Sequence, residues 1–202
     1  MKDLKHHTAH RIMDYFKSNH ELILSCLDDM VKIETPSRDK ASQAKFFDFL
    51  QTRFQALNYE CIRVDGRNTG GYLYAKPKDR KKGKPIQLLV GHCDTVWEIN
   101  TPDKPIFSDL NGKMSGPGIY DMKAGLTQIL FAIKALKDLK VPLTVLPVVL
   151  INSDEEIGSH ETREIIKRIS RISNRAFVLE PPLGLEGKLK TSRKGIGSFS
   201  IT

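Results

Sequence analysis

Apolar residues recur at helical spacing through "HRIMDYFKSNHELILSCLDDMVKI" (10–33), which predicts N-terminal helix with a break near Asn19. Pro36 and Ser37 interrupt the pattern in "ETPSRD", so a turn is expected there. "KASQAKFFDFLQTRFQALNY" (40–59) then reads as an amphipathic helix with Phe46, Phe49, Leu50, Phe54 and Leu57 on its core face. Short strand patterns follow in "YECIRV" (59–64), "GGYLYAK" (70–76) and "PIQLLVGH" (85–92). The last is apolar almost throughout, as in a strand covered on both faces. "FSDLNGKMSG" (107–116) has the form of a hairpin turning at Asn111-Gly112. The clearest helix spans 122–139, "MKAGLTQILFAIKALKDL". "LTVLPVVLINSD" (143–154) is a second buried strand, with Pro147 suggesting an edge position or a bulge. "HETREIIKRIS" (160–170) is a surface helix and "RAFVLEPP" (175–182) a third buried strand. Alternating strands and helices predict an α/β fold with helices on both faces of a largely buried sheet.

Composition narrows the class without naming a chemistry. The chain has 202 residues, enough for one sizeable domain, and 40% hydrophobic with 28% charged residues reads as soluble and globular. Its three cysteines, Cys26, Cys61 and Cys93, are widely spaced and form no C-x-x-C pair, which argues for a reducing, cytoplasmic setting and against a thiolate zinc site. No stretch approaches the ~18 apolar residues of a membrane span. The net charge of +8 raises nucleic acid as a partner, but the densest basic run, "KPKDRKKGKP" (76–85), lacks interleaved aromatics and reads as a solvated turn. No nucleic-acid or membrane partner is expected, and an acidic small-molecule substrate suits the charge. A phosphate loop in "SGPGIYDMKAG" (115–125) fails on glycine spacing.

Each buried strand ends in ionisable residues: His92 and Asp94 in "VGHCDTVW", Asp154, Glu155 and Glu156 in "NSDEE", and Glu180 in "VLEP". Asp121 stands directly before the long helix. Ligands of open α/β sheets bind at the carboxyl ends of strands. Taken singly, Asp154 or Asp121 could be a helix cap, and "VGHCDTVW" a metal site, part of a relay or a plain strand end. Gathered without a partner, these acids would repel one another and be costly to desolvate, a difficulty that a divalent cation removes. Imidazole with carboxylates suits zinc, and also cobalt or manganese. Residues i and i+2 of a strand face the same side, so Asp94 can accept the second N–H of the His92 ring, while Cys93 turns away.

"GHCDTV", "SGPGIYDMKAGL", "NSDEEIGS" and "VLEP", in this order and at these intervals, resemble the M20 family of metallopeptidases and amidohydrolases, and most closely its carboxypeptidase G2-like, glutamate carboxypeptidase branch. Aminoacylase, acetylornithine deacetylase and succinyl-diaminopimelate desuccinylase are relatives of that branch. The resemblance covers roughly residues 20–202. It implies a three-layer α/β/α catalytic domain with a mixed, mostly parallel sheet, two zinc ions, and hydrolysis of a peptide or N-acyl amide bond beside a free carboxylate.

By the same resemblance His92 and Glu180 are expected to hold one zinc, Asp121 to bridge both, and Glu156 to hold the other. Glu155 is the expected base for a metal-activated water and Asp94 the acid behind His92. A cis peptide bond is expected at Asp121–Met122. Against the family pattern, no histidine follows His160, and the usual final zinc-binding histidine and inserted dimerisation domain are missing. The expected organisation is therefore 1–192 as the N-terminal part of a catalytic domain and 193–202 as the start of a truncated lid or dimerisation domain. The family is usually homodimeric, through a domain absent here. An inactive remnant of such an enzyme, and an M20 deacylase, are the competing expectations.

Overall fold

The computed structural model describes residues 2–80, 83–101, 108–110, 113–184, 186–192 and 194–195. The broken N-terminal pattern folds as two helices, α1 (Lys2–Ser18) and α2 (His20–Lys32). Asn19 separates them with a non-helical backbone, and its side-chain amide donates to the Tyr15 carbonyl. The third helix, α3 (Lys40–Ala56), starts where Asp39 accepts the Ala41 and Ser42 N–H groups, a side-chain cap that satisfies two otherwise orphaned donors. Phe46, Phe47, Leu50 and Phe54 are its buried apolar residues, with Ser42 and Gln43 buried beside them. Phe47 thus joins the expected core face and Phe49 sits at its margin.

Among the described residues five strands make the central sheet: β1 (Tyr59–Val64), β2 (Tyr72–Pro77), β3 (Ile86–His92), β6 (Leu146–Asn152) and β7 (Arg175–Val178). They lie in the order β1-β2-β6-β3-β7. A separate two-stranded hairpin, β4 (Ser108–Leu110) with β5 (Lys113–Ser115), matches the expected one, although its turn Asn111-Gly112 lies outside the described residues. The helix α4 (Ala124–Asp138) joins β5 to β6, and α5 (Arg163–Arg171) joins β6 to β7.

The sheet is mixed, but parallel pairing does not predominate. β1–β2 and β2–β6 are antiparallel, whereas β3–β6 and β3–β7 are parallel. The antiparallel half arises where β1 turns back into β2, whereas β3, β6 and β7, whose connections run through α4 and α5, are parallel. β6 is the central strand and buried along its whole length, so Pro147 marks no edge. The β2 ladder ends at Val149, which leaves Pro147 beyond its reach, and the carbonyl of Pro147 instead accepts the Tyr59 hydroxyl at 3.1 Å. The expected burial of β7 is also overturned: all four residues are exposed, Phe177 at 47% and Val178 at 58%. Among the described residues β7 has a strand neighbour on one side only.

The two faces of the sheet are covered unequally. Helices α1–α4 pack one face around Phe46, Phe47, Phe54, Leu126, Ile129 and Val149. The other face carries Leu88, Val148 and Leu150 beneath Ile165, Ile166 and Ile169 of α5. This is the three-layer α/β/α arrangement expected. Of 193–202, only 194–195 fall within the described residues.

Candidate metal centre

Parallel pairing of β3 with β6 and β7 brings their carboxyl ends to one edge of the sheet. His92 ends β3, Asp154, Glu155 and Glu156 follow β6, and Glu180 follows β7. The fourth contribution comes from an irregular turn, Ile119–Lys123, that precedes α4. Gly118 enters this turn at φ 67°, in the left-handed region that glycine tolerates. The Asp121–Met122 peptide bond is cis, as expected. Asp121 makes no cap to α4, which has no side-chain cap, and its carboxylate faces the histidine instead. Gly125, in the first turn of α4, lies so close to the backbone of Leu179 that a Cβ would collide with that carbonyl. This close approach sets Glu180 beside Asp121.

His92 is 1% exposed and is the hub. Its Nε2 lies 3.1 Å from Asp121 Oδ1 and 3.2 Å from Glu180 Oε1. The donor atoms of these three residues all lie within 4.8 Å of one another. The inner nitrogen, Nδ1, faces the Asp94 backbone carbonyl at 2.9 Å and its carboxylate at 3.3 Å. Asp94 thus orients the ring twice, with the carbonyl the nearer acceptor. The backbone N–H of His92 donates to Met122 Sδ at 3.2 Å, which ties β3 to the turn bearing Asp121. Cys93 turns away from the centre into the larger core.

Asp94, fully buried, does more than sit behind the ring. Its Oδ1 accepts the Glu155 N–H at 3.1 Å, and its Oδ2 accepts the Glu156 N–H at 3.2 Å and the Ser37 hydroxyl at 2.8 Å. One carboxylate therefore holds both the histidine and the backbone of the glutamate pair. The spacing of residues shows the first contact, and nothing in a linear pattern signals the second, because backbone donors carry no residue identity. Glu156 lies outside the three-residue donor cluster and Glu155 is exposed.

Electrostatics record the crowding of acids. Burial opposes charging of His92, yet hydrogen bonds with Asp121, Asp94 and Glu180 outweigh it and raise its pKa. The imidazole binds a proton tightly at a point where an imidazole nitrogen and two carboxylate oxygens converge, and that donor set fits a divalent cation. Burial pushes the Glu156 carboxyl up to about 7, with neighbouring acids adding to it. Glu155 is exposed as a residue, yet partial desolvation of its carboxyl raises that group as well. Asp154 is occupied elsewhere: it accepts the Glu161 and Thr162 N–H groups ahead of α5, the Asn152 amide and the Thr162 hydroxyl. His160 is exposed and outside the donor cluster.

Comparison with known proteins matches residues 88–194 to peptidase family M20/M25/M40. Carboxypeptidase G2 of Pseudomonas sp. (strain RS-16) is 32% identical over 181 residues, which cover 89% of this chain and 43% of that protein. A succinyl-diaminopimelate desuccinylase of Aliarcobacter butzleri is 31% identical over 158 residues, covering 73% of this chain and 38% of that one. The chain thus spans about two fifths of the length of these curated relatives. Among solved structures, human carnosine dipeptidase 1 superposes with a TM-score of 0.75 at 18% identity, over 86% of this chain and 41% of that chain. An M20 family metallo-carboxypeptidase from Sulfolobus solfataricus superposes with a TM-score of 0.66 at 22% identity, over 82% and 38%. At these identities the structural likeness speaks for the fold.

Proposed function

The chain belongs to peptidase family M20/M25/M40, and from that premise we propose that it carries the metal-binding part of a hydrolase acting on a peptide or N-acyl amide bond next to a free carboxylate. The observation that supports this best is the convergence of His92, Asp121 and Glu180, with their donor atoms within 4.8 Å, beside a glutamate pair whose backbone is held by Asp94.

In this reading His92, Asp121 and Glu180 would hold one divalent cation and Glu156 would help to hold a second, zinc being the metal that best suits the donors. Bound cations would supply polarisation of the scissile carbonyl and acidification of a water. Asp94 keeps the His92 ring in one tautomer and orientation. Glu155 removes a proton from the attacking water and returns it to the leaving amine. Partial desolvation raises its carboxyl, which moves its basicity toward neutral pH, where a general base works best. Adjacent glutamates with separate duties are needed because a base spent as a ligand cannot move a proton. The cytoplasmic location proposed for the chain rests on its cysteine usage.

The likeness to carboxypeptidase G2 favours a carboxypeptidase, and the resemblance of the motifs to the glutamate carboxypeptidase branch makes N-acyl glutamates the substrates proposed. A second reading, an amidohydrolase that removes succinyl groups, is favoured by the desuccinylase relatives. The test is zinc stoichiometry together with hydrolysis of N-acyl glutamates and N-succinyl amino acids, with zinc or cobalt added. Turnover abolished by Glu155→Gln with metal uptake intact supports the reading. Absence of cation binding by the wild-type chain refutes it, and cation binding with no turnover of either substrate assigns the chain as a non-catalytic metal-binding domain.

A further inference from the structure

Residues 33–37, in the segment between α2 and α3, contribute no donor to the metal centre, yet this stretch is tied to the three chain segments that position His92, Asp121 and the glutamate pair. It joins the end of β3 through Pro36, which bridges Thr95 in parallel, with Thr95 N–H donating to Thr35 O at 2.8 Å and Ser37 N–H to Thr95 O at 3.2 Å. The Thr35 hydroxyl donates to the Cys93 carbonyl at 2.5 Å. It joins the turn bearing Asp121 through Lys123, fully buried, whose Nζ donates to Ile33 O at 2.9 Å. It joins the end of β6 through Gln43, also fully buried, whose amide donates to both Pro36 O at 2.8 Å and Ser153 O at 3.1 Å. Thr35, Pro36 and Ser37 are all buried.

We propose that Ser37 is a positioning residue of the metal centre, acting through Asp94. The inference rests on the metal-centre reading above. Asp94 is 0% exposed, and its ion-pair partner is His92. Its Oδ2 is held by the Ser37 hydroxyl at 2.8 Å, shorter than the 3.2 Å bond from the Glu156 N–H. The hydroxyl is itself preset, because the Ser37 N–H, the Pro36 carbonyl and the Thr35 side chain are all engaged. Without that donor Oδ2 keeps only the longer bond, and a buried carboxylate short of donors turns to improve its solvation. Any such turn moves two things together, the His92 ring on Oδ1 and the Glu155–Glu156 backbone. A purely structural role, a buried hydroxyl plugging a turn, would lower stability and leave the cation's coordination untouched.

Cobalt(II) titration of the full chain separates the two roles, with visible absorption reporting the ligand field and thermal melts reporting the fold. Ser37→Ala is expected to weaken cobalt binding by about 10–100-fold, the range typical of losing a partner that orients a ligand, and to change the absorption spectrum. Ser37→Thr, which keeps the hydroxyl, is expected to restore most of both. Tyr59→Phe, which removes a buried hydrogen bond at the far end of the sheet, is expected to lower the melting temperature with affinity and spectrum unchanged. Wild-type affinity and spectrum in Ser37→Ala overturn the inference, as does a folded Ser37→Thr that binds no better than Ser37→Ala. Should Ser37→Ala not fold, Ser37→Cys takes its place under the same criteria. A wild-type chain that takes up no cobalt overturns the metal reading itself, an outcome distinct from any difference between variants.

Discussion

β3 and β6 lie side by side and end alike. His92-Cys93-Asp94 closes one and Asn152-Ser153-Asp154 follows the other, with His92 and Asn152 paired in register. Both aspartates are 0% exposed, and each accepts a donor from the residue two positions earlier together with backbone and hydroxyl donors from a loop. Burial and hydrogen bonding therefore do not tell them apart. The residue two positions earlier does. Asn152 spends its amide on Asp154, Ser159 and Thr162, inside its own loop. His92 spends one ring nitrogen on Asp94 and presents the other to carboxylates from two other elements. A structural network closes on itself, whereas a binding network leaves a donor atom pointing at groups that repel one another.

The comparison can be broken most severely by His92→Asn, which gives β3 the ending of β6. Cobalt affinity should fall by more than the roughly 10–100-fold expected for losing an orienting partner, because a ligand itself is lost. Retained affinity would mean that the centre lies elsewhere. The two aspartates should then separate cleanly. Asp94→Asn is expected to weaken cobalt binding by about 10–100-fold in a titration of folded protein. Asp154→Asn is expected to cost about 1–3 kcal/mol in urea unfolding, the penalty for mispaired buried groups, with cobalt affinity unchanged. Equal effects of both variants on affinity would erase the distinction.

A smaller effect follows from charge in the metal-free chain. Burial pushes Glu156 up to about 7 from the usual 4.5, so between those values the folded chain binds more protons than the unfolded one. Stability should fall as pH rises through that window. His92, raised above 6.5, adds a loss of the same sign at higher pH. Melting temperatures in chelator should thus decline between about pH 5 and pH 8, and Glu156→Gln should flatten the lower part of the slope. The smallest effect belongs to Glu161, which accepts Asn68 and Thr69 donors at the solvent edge of the Asp154 network. Glu161→Gln should cost about 1 kcal/mol or less, with no change in cobalt spectrum.

Much of this was legible in the order of residues. "YECIRV" coincides with β1, the helix break falls at Asn19, and of the four residues expected to hold metal, His92, Asp121 and Glu180 converge, while Glu156 lies outside their cluster. The misreadings share a cause. Pro147 reads as an edge or bulge residue because proline donates no ladder hydrogen bond, whereas β2 pairs only with 149–152 of β6 and asks for none at 147. β7 reads as buried because its residues are apolar, and apolar character does not say whether a neighbouring layer is present. Ser37 reads as a turn residue, and its bond to Asp94 spans positions 57 residues apart, which no local spacing encodes.

β7 is exposed at all four of its residues, and Glu180 follows it two residues on. A cation shared by His92 and Glu180 would therefore be a cross-link between the interior of the sheet and its margin, closing α4, β6 and α5 into a single ring of chain. Such a clasp acts by restricting the unfolded ensemble, as ring closure does in any polymer, rather than by improving a native contact. With it in place the margin could not fray without opening the ring, and the outermost strand would melt together with the centre.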